Sequence, residues 1–366
     1  MDDRKTRVFV ASAIAAIFIA IADARPLIAA QGNLLHQLVE SSNSEMAKKG
    51  GSLSVALEWT DEEAKPLLES FKKDFPFIKE TSFSRVRGTE LMQRTFMEYK
   101  AGRTPKYDIM HVSFEAWPTY RDAGAFVRPP FSYKELMKSL PPDWTPPDPR
   151  AIDPNGYFLA IAGLARGIVY NKNIVSPDKA PKGWEDCLDP MWRGKFLYDP
   201  RPKLTALQHD PKTREAHLRW LKGIVENKVI LGVAGAQTAN VEKVAASEYP
   251  LFCGVNYHSA IRQIDDGAPL NFIFPDPFPL EFGTQIHILK WSKTPATTQL
   301  FILWSAIKGQ SMVEKYSYRG FPWDTHSRKY LLAKGKYIAV CDVECLKKSE
   351  EYDAEHAKIL GLPGAK

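Results

Sequence analysis

The sequence predicts an α/β protein of two lobes, and three observations point there. Between Leu53 and Val112 apolar strand runs alternate with helix-period stretches, which is the pattern of a parallel sheet with right-handed crossovers. A second strand–short helix–turn–strand element, Gly167–Tyr198, lies more than fifty residues further on. Finally, 366 residues with 44% hydrophobic and 25% charged composition are ordinary globular material, enough for two domains.

The N-terminus stands apart. Arg4, Lys5 and Arg7 precede an apolar run from Val8 to Ala22, which suits a signal-peptide core and is short of the ~20 residues a membrane helix needs. Ala22-Asp23-Ala24 and Ile28-Ala29-Ala30 both offer small residues for cleavage, so residues 1–30 read as a leader and the protein as periplasmic; Asp2 and Asp3 are unusual in such a leader and leave an uncleaved anchor as the minor alternative. The net charge of +6 is modest and scattered, with no basic stripe and interleaved aromatics to argue for nucleic acid.

Leu34 to Lys49 spaces Leu34, Leu35, Leu38 and Val39 as an amphipathic helix, ended by Gly50-Gly51. A strand follows from Leu53 to Trp59. Asp61 is expected to cap a helix carrying Ala64, Leu67, Leu68, Phe71 and Phe75, with an irregular first turn because Pro66 lacks a donor. Phe77–Phe83 and Asp108–Val112 read as the next strands, separated by a helix opening at Gly88-Thr89-Glu90. Ligands on such sheets sit beyond the carboxyl ends of strands, which singles out the loops at Trp59–Asp61, Arg87–Glu90 and Ser113–Trp117.

Proline is dense from Pro129 to Pro154, and a first crossover is expected near Tyr157–Gly163. A helix near Thr213–Asn227, the stretch Val241–Ala246 and a strand at Pro250–Val255 continue the second lobe. A return crossover follows at Gly267–Pro275, then a strand at Thr284–Leu289 and a helix at Thr297–Ile307. The tail reads as helical and polar. Cys341 and Cys345, four apart, suit a local disulfide, whereas Cys187 and Cys253 read as buried small hydrophobes.

Several motifs carry a resemblance. Tyr170-Asn171 is followed by Pro177, Ala180, Pro181, Trp184, Glu185, Asp186, Asp189, Pro190, Trp192, Gly194 and Lys195, with only Cys187 departing from the pattern. Gly267-Ala268-Pro269 and Lys308-Gly309-Gln310 add to it. In these respects the chain resembles the type II periplasmic solute-binding proteins of ABC transporters, especially the iron(III)-like branch. The resemblance runs from about Leu34 to Gln310. It implies two lobes, each a mixed, mainly parallel sheet flanked by helices, joined by two crossovers: residues 31–157 and 274–310 in one lobe, 158–273 in the other, and 311–366 as a helical segment packed on them. It also implies a monomer that delivers a small-molecule solute to an ABC permease and its ATPase.

Candidate binding residues follow from strand ends and chemistry. Trp59, Thr60, Trp117, Asn256, Tyr257 and His258 lie in cleft loops, and aromatics there suit stacking against a ring or caging an amine. Thr89, at a helix N-terminus, with Arg166 and Arg201, would suit an anion. Ferric-binding relatives place two tyrosines where this chain has Tyr257-His258, so Glu115, Tyr257 and His258 form an alternative metal set. The other reading has Tyr257 against an organic ligand and His258 packed beside it. No nucleotide-binding, hydrolase or metalloprotease motif is present, so no enzyme and no cofactor are expected.

Overall fold

A computed structural model describes residues 34–86, 89–113, 116–201, 204–283 and 285–362. The proposed leader, Glu115 and part of the Arg87–Glu90 loop lie outside the described residues. Among those described, no helix is long and apolar enough to cross a membrane.

The first sheet is parallel, in the order β2-β1-β3, with β1 Ser52–Leu57, β2 Glu80–Arg85 and β3 Ile109–Met110. Val55 pairs with Phe83 on one side and Ile109 on the other. The helix Asp61–Asp74 crosses between β1 and β2. Its cap is Thr60 rather than Asp61: Thr60 Oγ1 accepts from Glu63 N, and Glu63 Oε2 accepts from Thr60 N at 2.9 Å. This capping box satisfies the free donors of the first turn, and the helix runs on through Pro66. The strand expected at Thr284–Leu289 is reduced to two isolated antiparallel bridges, His111–Ile286 and Phe126–Leu289. The helix Pro295–Ala306 is mostly apolar and buried on every side, including Thr297, Thr298, Gln299 and Ser305. It packs on Leu34–Lys48, whose Glu45 accepts from the N–H groups of Ala296 and Thr297 at 2.9 and 2.8 Å.

The second sheet has seven strands around β4, Ala162–Asn171. The first half of β4 pairs with β9, Phe278–Gly283, and its second half with β7, Leu251–Asn256, and β8, Leu270–Ile273. One long strand thus joins β9 to β7 and β8. Gly167 sits where the pairing changes: a Cβ there would lie 2.2 Å from the Ile273 carbonyl oxygen. The short strands β5, Leu197–Tyr198, and β6, Ile230–Leu231, extend the sheet beyond β7.

Two expectations are corrected. Cys187 and Cys253 are not thiols; they are joined at 2.08 Å, tying the short turn before β5 to β7. Burial favoured either reading, and only the fold brings residues 66 apart in sequence into contact. The tail is not wholly helical: Ile338–Cys341 forms β10, parallel to β9. The Cys341–Cys345 disulfide is present and closes the turn after β10. The helix Ser349–Leu360 then packs on Arg214–Glu226, with Arg214 on Glu355 at 2.7 Å.

Candidate functional site

The strand ends assemble two groups of side chains. The first surrounds Tyr257, which opens the helix Tyr257–Asp265 directly after β7. Tyr257 is 1% exposed and packs against Phe272 and Phe274, with Lys329 Nζ 4.6 Å over its ring. Burial, then the charge of Glu314, pushes its phenol above the usual range, and among the described residues the hydroxyl has no hydrogen-bond partner. His258 beside it is held well below its ordinary pKa by burial and then by Arg319, Arg262, Arg166 and Lys329. It is therefore neutral at physiological pH.

Trp59 is wholly buried, with Arg319 5.8 Å over its ring. Thr60 is occupied as a helix cap. Arg166, buried, donates to Asn256 Oδ1 and to Glu281 Oε2, the latter at 2.6 Å. Asn256 N donates to Gln237 Oε1 at 3.0 Å, Gln237 Nε2 donates to Asp199 Oδ2 at 2.7 Å, and Arg201 lies 3.3 Å from that same carboxylate. The structure thus links Arg166, Asn256 and Arg201 in one hydrogen-bonded chain through Gln237 and Asp199. Arg319 lies over Trp59 and, with Arg166, is among the charges acting on His258, whereas Tyr257 is packed among rings and Thr60 caps its helix. Thr89 heads the helix Glu90–Lys100 without a side-chain cap bond and does not join them.

The second group lines a cavity of about 270 Å³. Trp117 and Phe126 stand on one side; Asp153, Tyr157 and Phe158 come from the segment leading into β4; His287 comes from the stretch after β9; Val343 and Lys347 come from the tail. Phe126 stacks on His287 at 4.0 Å and Phe158 meets it edge-on at 5.1 Å. His287 is 2% exposed, yet among the described residues neither ring nitrogen has a partner, and Trp117 Nε1 is likewise buried and unbonded among them. Burial, then nearby His111, lowers the His287 pKa to about 3, so the ring is neutral. His111 itself faces Glu58 at 3.3 Å, at the ends of β3 and β1.

Of the sequence candidates among the described residues, only Trp117 lines this cavity. Tyr157 and Phe158 were legible as the start of the first crossover; Asp153 and His287 gave no signal, because nothing local shows that they converge. Among the described residues no three His, Cys, Asp or Glu side chains gather to hold a metal ion, and Glu115 is outside them.

Residues 124–256 match the model of a bacterial extracellular solute-binding protein family. No curated protein matches the chain. Among solved structures, iron-bound HitA from Pseudomonas aeruginosa is similar with a TM-score of 0.63 at 15% identity, covering 84% of this chain and 99% of its own. FutA (IdiA) from Trichodesmium, in complex with iron and citrate, gives 0.65 at 17%, covering 86% and 100%. The spermidine/putrescine-binding PotD of Streptococcus pneumoniae gives 0.58 at 16%, covering 84% and 99%. At such identities these similarities speak to the fold alone: the two-lobed fold of periplasmic binding proteins.

Proposed function

We propose, from the premise that this chain has the two-lobed type II fold and the extracellular solute-binding signature, that it is the exported solute-binding component of an ABC importer. It holds a small organic solute in the Trp117–His287 cavity and presents it to a membrane permease served by an ATPase. Residues 1–30 would direct export to the periplasm. Residues 31–157 with 274–310, and 158–273, would be the two lobes, hinged at the crossovers, with 311–366 packed across them. No bond is made or broken; the solute acts by binding one arrangement of the lobes better than the other.

The cavity carries this reading. A pocket walled by aromatic rings with a few convergent polar groups is the usual form of a small-molecule site. Here Trp117, Phe126, Tyr157 and Phe158 supply the rings, and Asp153, Asn155, Arg121 and Lys347 the polar groups.

The iron-binding alternative is weaker. Tyr257 would have to ionise to ligate a ferric ion, and burial works against that. Binding of GABA and spermidine or putrescine by proteins of similar fold fits an organic solute.

Native mass spectrometry of the exported protein should find a small organic molecule at one per chain. Ligand at 100 times its dissociation constant adds about 2.7 kcal/mol of stability, visible as a melting shift. Trp117→Ala should abolish retention and shift. A solute retained equally by Trp117→Ala would remove the cavity from the function.

A further inference from the structure

The tail reaches two separate buried clusters within one turn of helix. β10 runs beside β9 at the edge of the second sheet, and Cys341 at its end is bonded to Cys345. Between them Asp342 caps the short helix Val343–Lys347, its Oδ1 accepting from Glu344 N at 3.0 Å and Cys345 N at 3.1 Å. The same oxygen lies 3.6 Å from Nε2 of His209, on the helix Thr205–His209 that follows β5. Cys341 and Cys345 are buried in a cluster with Tyr198, Leu204, Cys253 and Tyr352. Val343 is 3% exposed and belongs instead to a cluster with Ala56 of β1, Met110 of β3, Val112, Trp117 and Phe158.

Helix geometry explains the division. Residues two apart on a helix point about 200° apart, and residues four apart share a face. Val343 and Lys347 therefore look one way, and both line the cavity with Trp117 and Phe158. Cys345 looks the other way, into the cluster of the second sheet. The two attachments are unequal. On the second sheet the segment has a strand ladder, a disulfide and a capped turn. Toward the first sheet, among the described residues of the tail, Val343 is the one member of the cluster that includes Trp117. Burying one valine shifts an equilibrium roughly ten- to a hundredfold, strong enough to hold a contact and weak enough to release it.

We propose that residues 342–347 are a latch on the cavity. Fixed to the second sheet, they close the cavity by seating Val343 in the cluster of Trp117 and Phe158, and they open it by withdrawing that one side chain. The disulfide holds the short helix against β10, so that Val343 moves with the second sheet rather than on its own. The latch rests on the reading that this cavity is the solute site and that the lobes hinge. A solute in the cavity meets the latch itself, through Val343 and Lys347, and so binds the latched state better than the unlatched one.

Hydrogen exchange and small-angle scattering on the full exported protein test this. The control is Val175, a valine equally buried in the cluster of the second sheet. Val343→Ala removes two methyl groups; amides at 117–126 and 153–158 should exchange about tenfold faster, and the radius of gyration should rise. Cys341→Ser with Cys345→Ser should act in the same direction. Val175→Ala should leave both readouts at the parent's values, whatever it does to the melting temperature. Should Val343→Ala not fold, Val343→Thr keeps the volume, places a hydroxyl in the apolar seat and should show the same pattern. Exchange that quickens only within 342–347, or a change that Val175→Ala produces equally, overturns the latch. Native mass spectrometry separates the latch from the reading beneath it. A Val343 variant with faster cavity exchange that still retains its co-purified small molecule as the parent does keeps the latch and removes the cavity as the solute site. One with the parent's exchange and radius removes the latch and leaves the solute reading intact.

Discussion

Arg262, on the helix that follows β7, donates to the carboxylate of Glu63, on the helix that follows β1, 199 residues earlier. The same Glu63 oxygen lies 3.0 Å from Arg319, and the other oxygen closes the capping box with Thr60. A residue that caps its own helix therefore also joins three distant parts of the chain.

These partners should not be equivalent. Glu63 is 3% exposed and Arg319 10% by side chain, whereas Arg262 is 40% exposed. Glu63→Ala strips two guanidinium groups of their partner and should cost about 3–5 kcal/mol. Arg262→Ala removes a half-solvated partner and should cost about 1 kcal/mol or less. Urea denaturation of both variants checks the order, and equal losses would contradict the role given to Arg319.

Both disulfides should be found by mass mapping of exported protein, with no free thiol. They should differ in weight. Loop-closure entropy assigns about 4 kcal/mol to a bridge over 66 residues and about 2 kcal/mol to one over four. Cys187→Ala with Cys253→Ala should therefore lower the melting temperature more than the Cys341/Cys345 pair of changes does.

Acid should destabilise the protein through two buried histidines. His217 and His287 both have pKa values lowered to about 3, chiefly by burial, against 6.5 in the unfolded chain. Between those values the unfolded state binds protons that the folded state refuses. Their contribution is thus complete above pH 6.5 and is lost as pH falls toward 3, by up to several kcal/mol in total. His287→Phe should flatten the decline in urea midpoint between pH 6.5 and 4.5. A variant with the parent's slope would mean that His287 takes up protons without unfolding.

The elements that local pattern controls were legible. The strand at Tyr170-Asn171 and the short helix at Trp184–Leu188 stand where the residues put them, the latter as a 3-10 helix over Glu185–Leu188, and Trp184 Nε1 donates to Pro277 O at 2.6 Å. What pattern does not carry is partnership across the chain. Cys187 is the one departure from the motif around it, and that departure marked a disulfide whose other half, Cys253, looked like any buried strand residue. Val343, in a tail read as polar, packs with Trp117 and Phe158. His287 sits in an apolar stretch, and only the approach of Phe126, Phe158 and His111 gives it a chemical setting.

Tyr257 offers the sharpest contrast between an organic solute and iron. Its ring is a packed wall, stacked on Phe274 at 5.3 Å, edge-on to Phe272 at 5.2 Å, and covered by Lys329. Its hydroxyl is buried without a partner, so Tyr257→Phe removes an unsatisfied group and should leave stability within about 1 kcal/mol of the parent. Tyr257→Ala deletes the ring, and with neighbours this rigid the cavity will not collapse; the loss should be about 3–5 kcal/mol. Phenolate ligation predicts something else: a visible charge-transfer band with ferric ion that vanishes in Tyr257→Phe. The ammonium of Lys329 over the ring and the desolvation of the phenol argue for colourless protein with either residue. A stoichiometric ferric complex whose colour depends on Tyr257 would reverse that conclusion and return Tyr257 and His258 to the role of metal ligands.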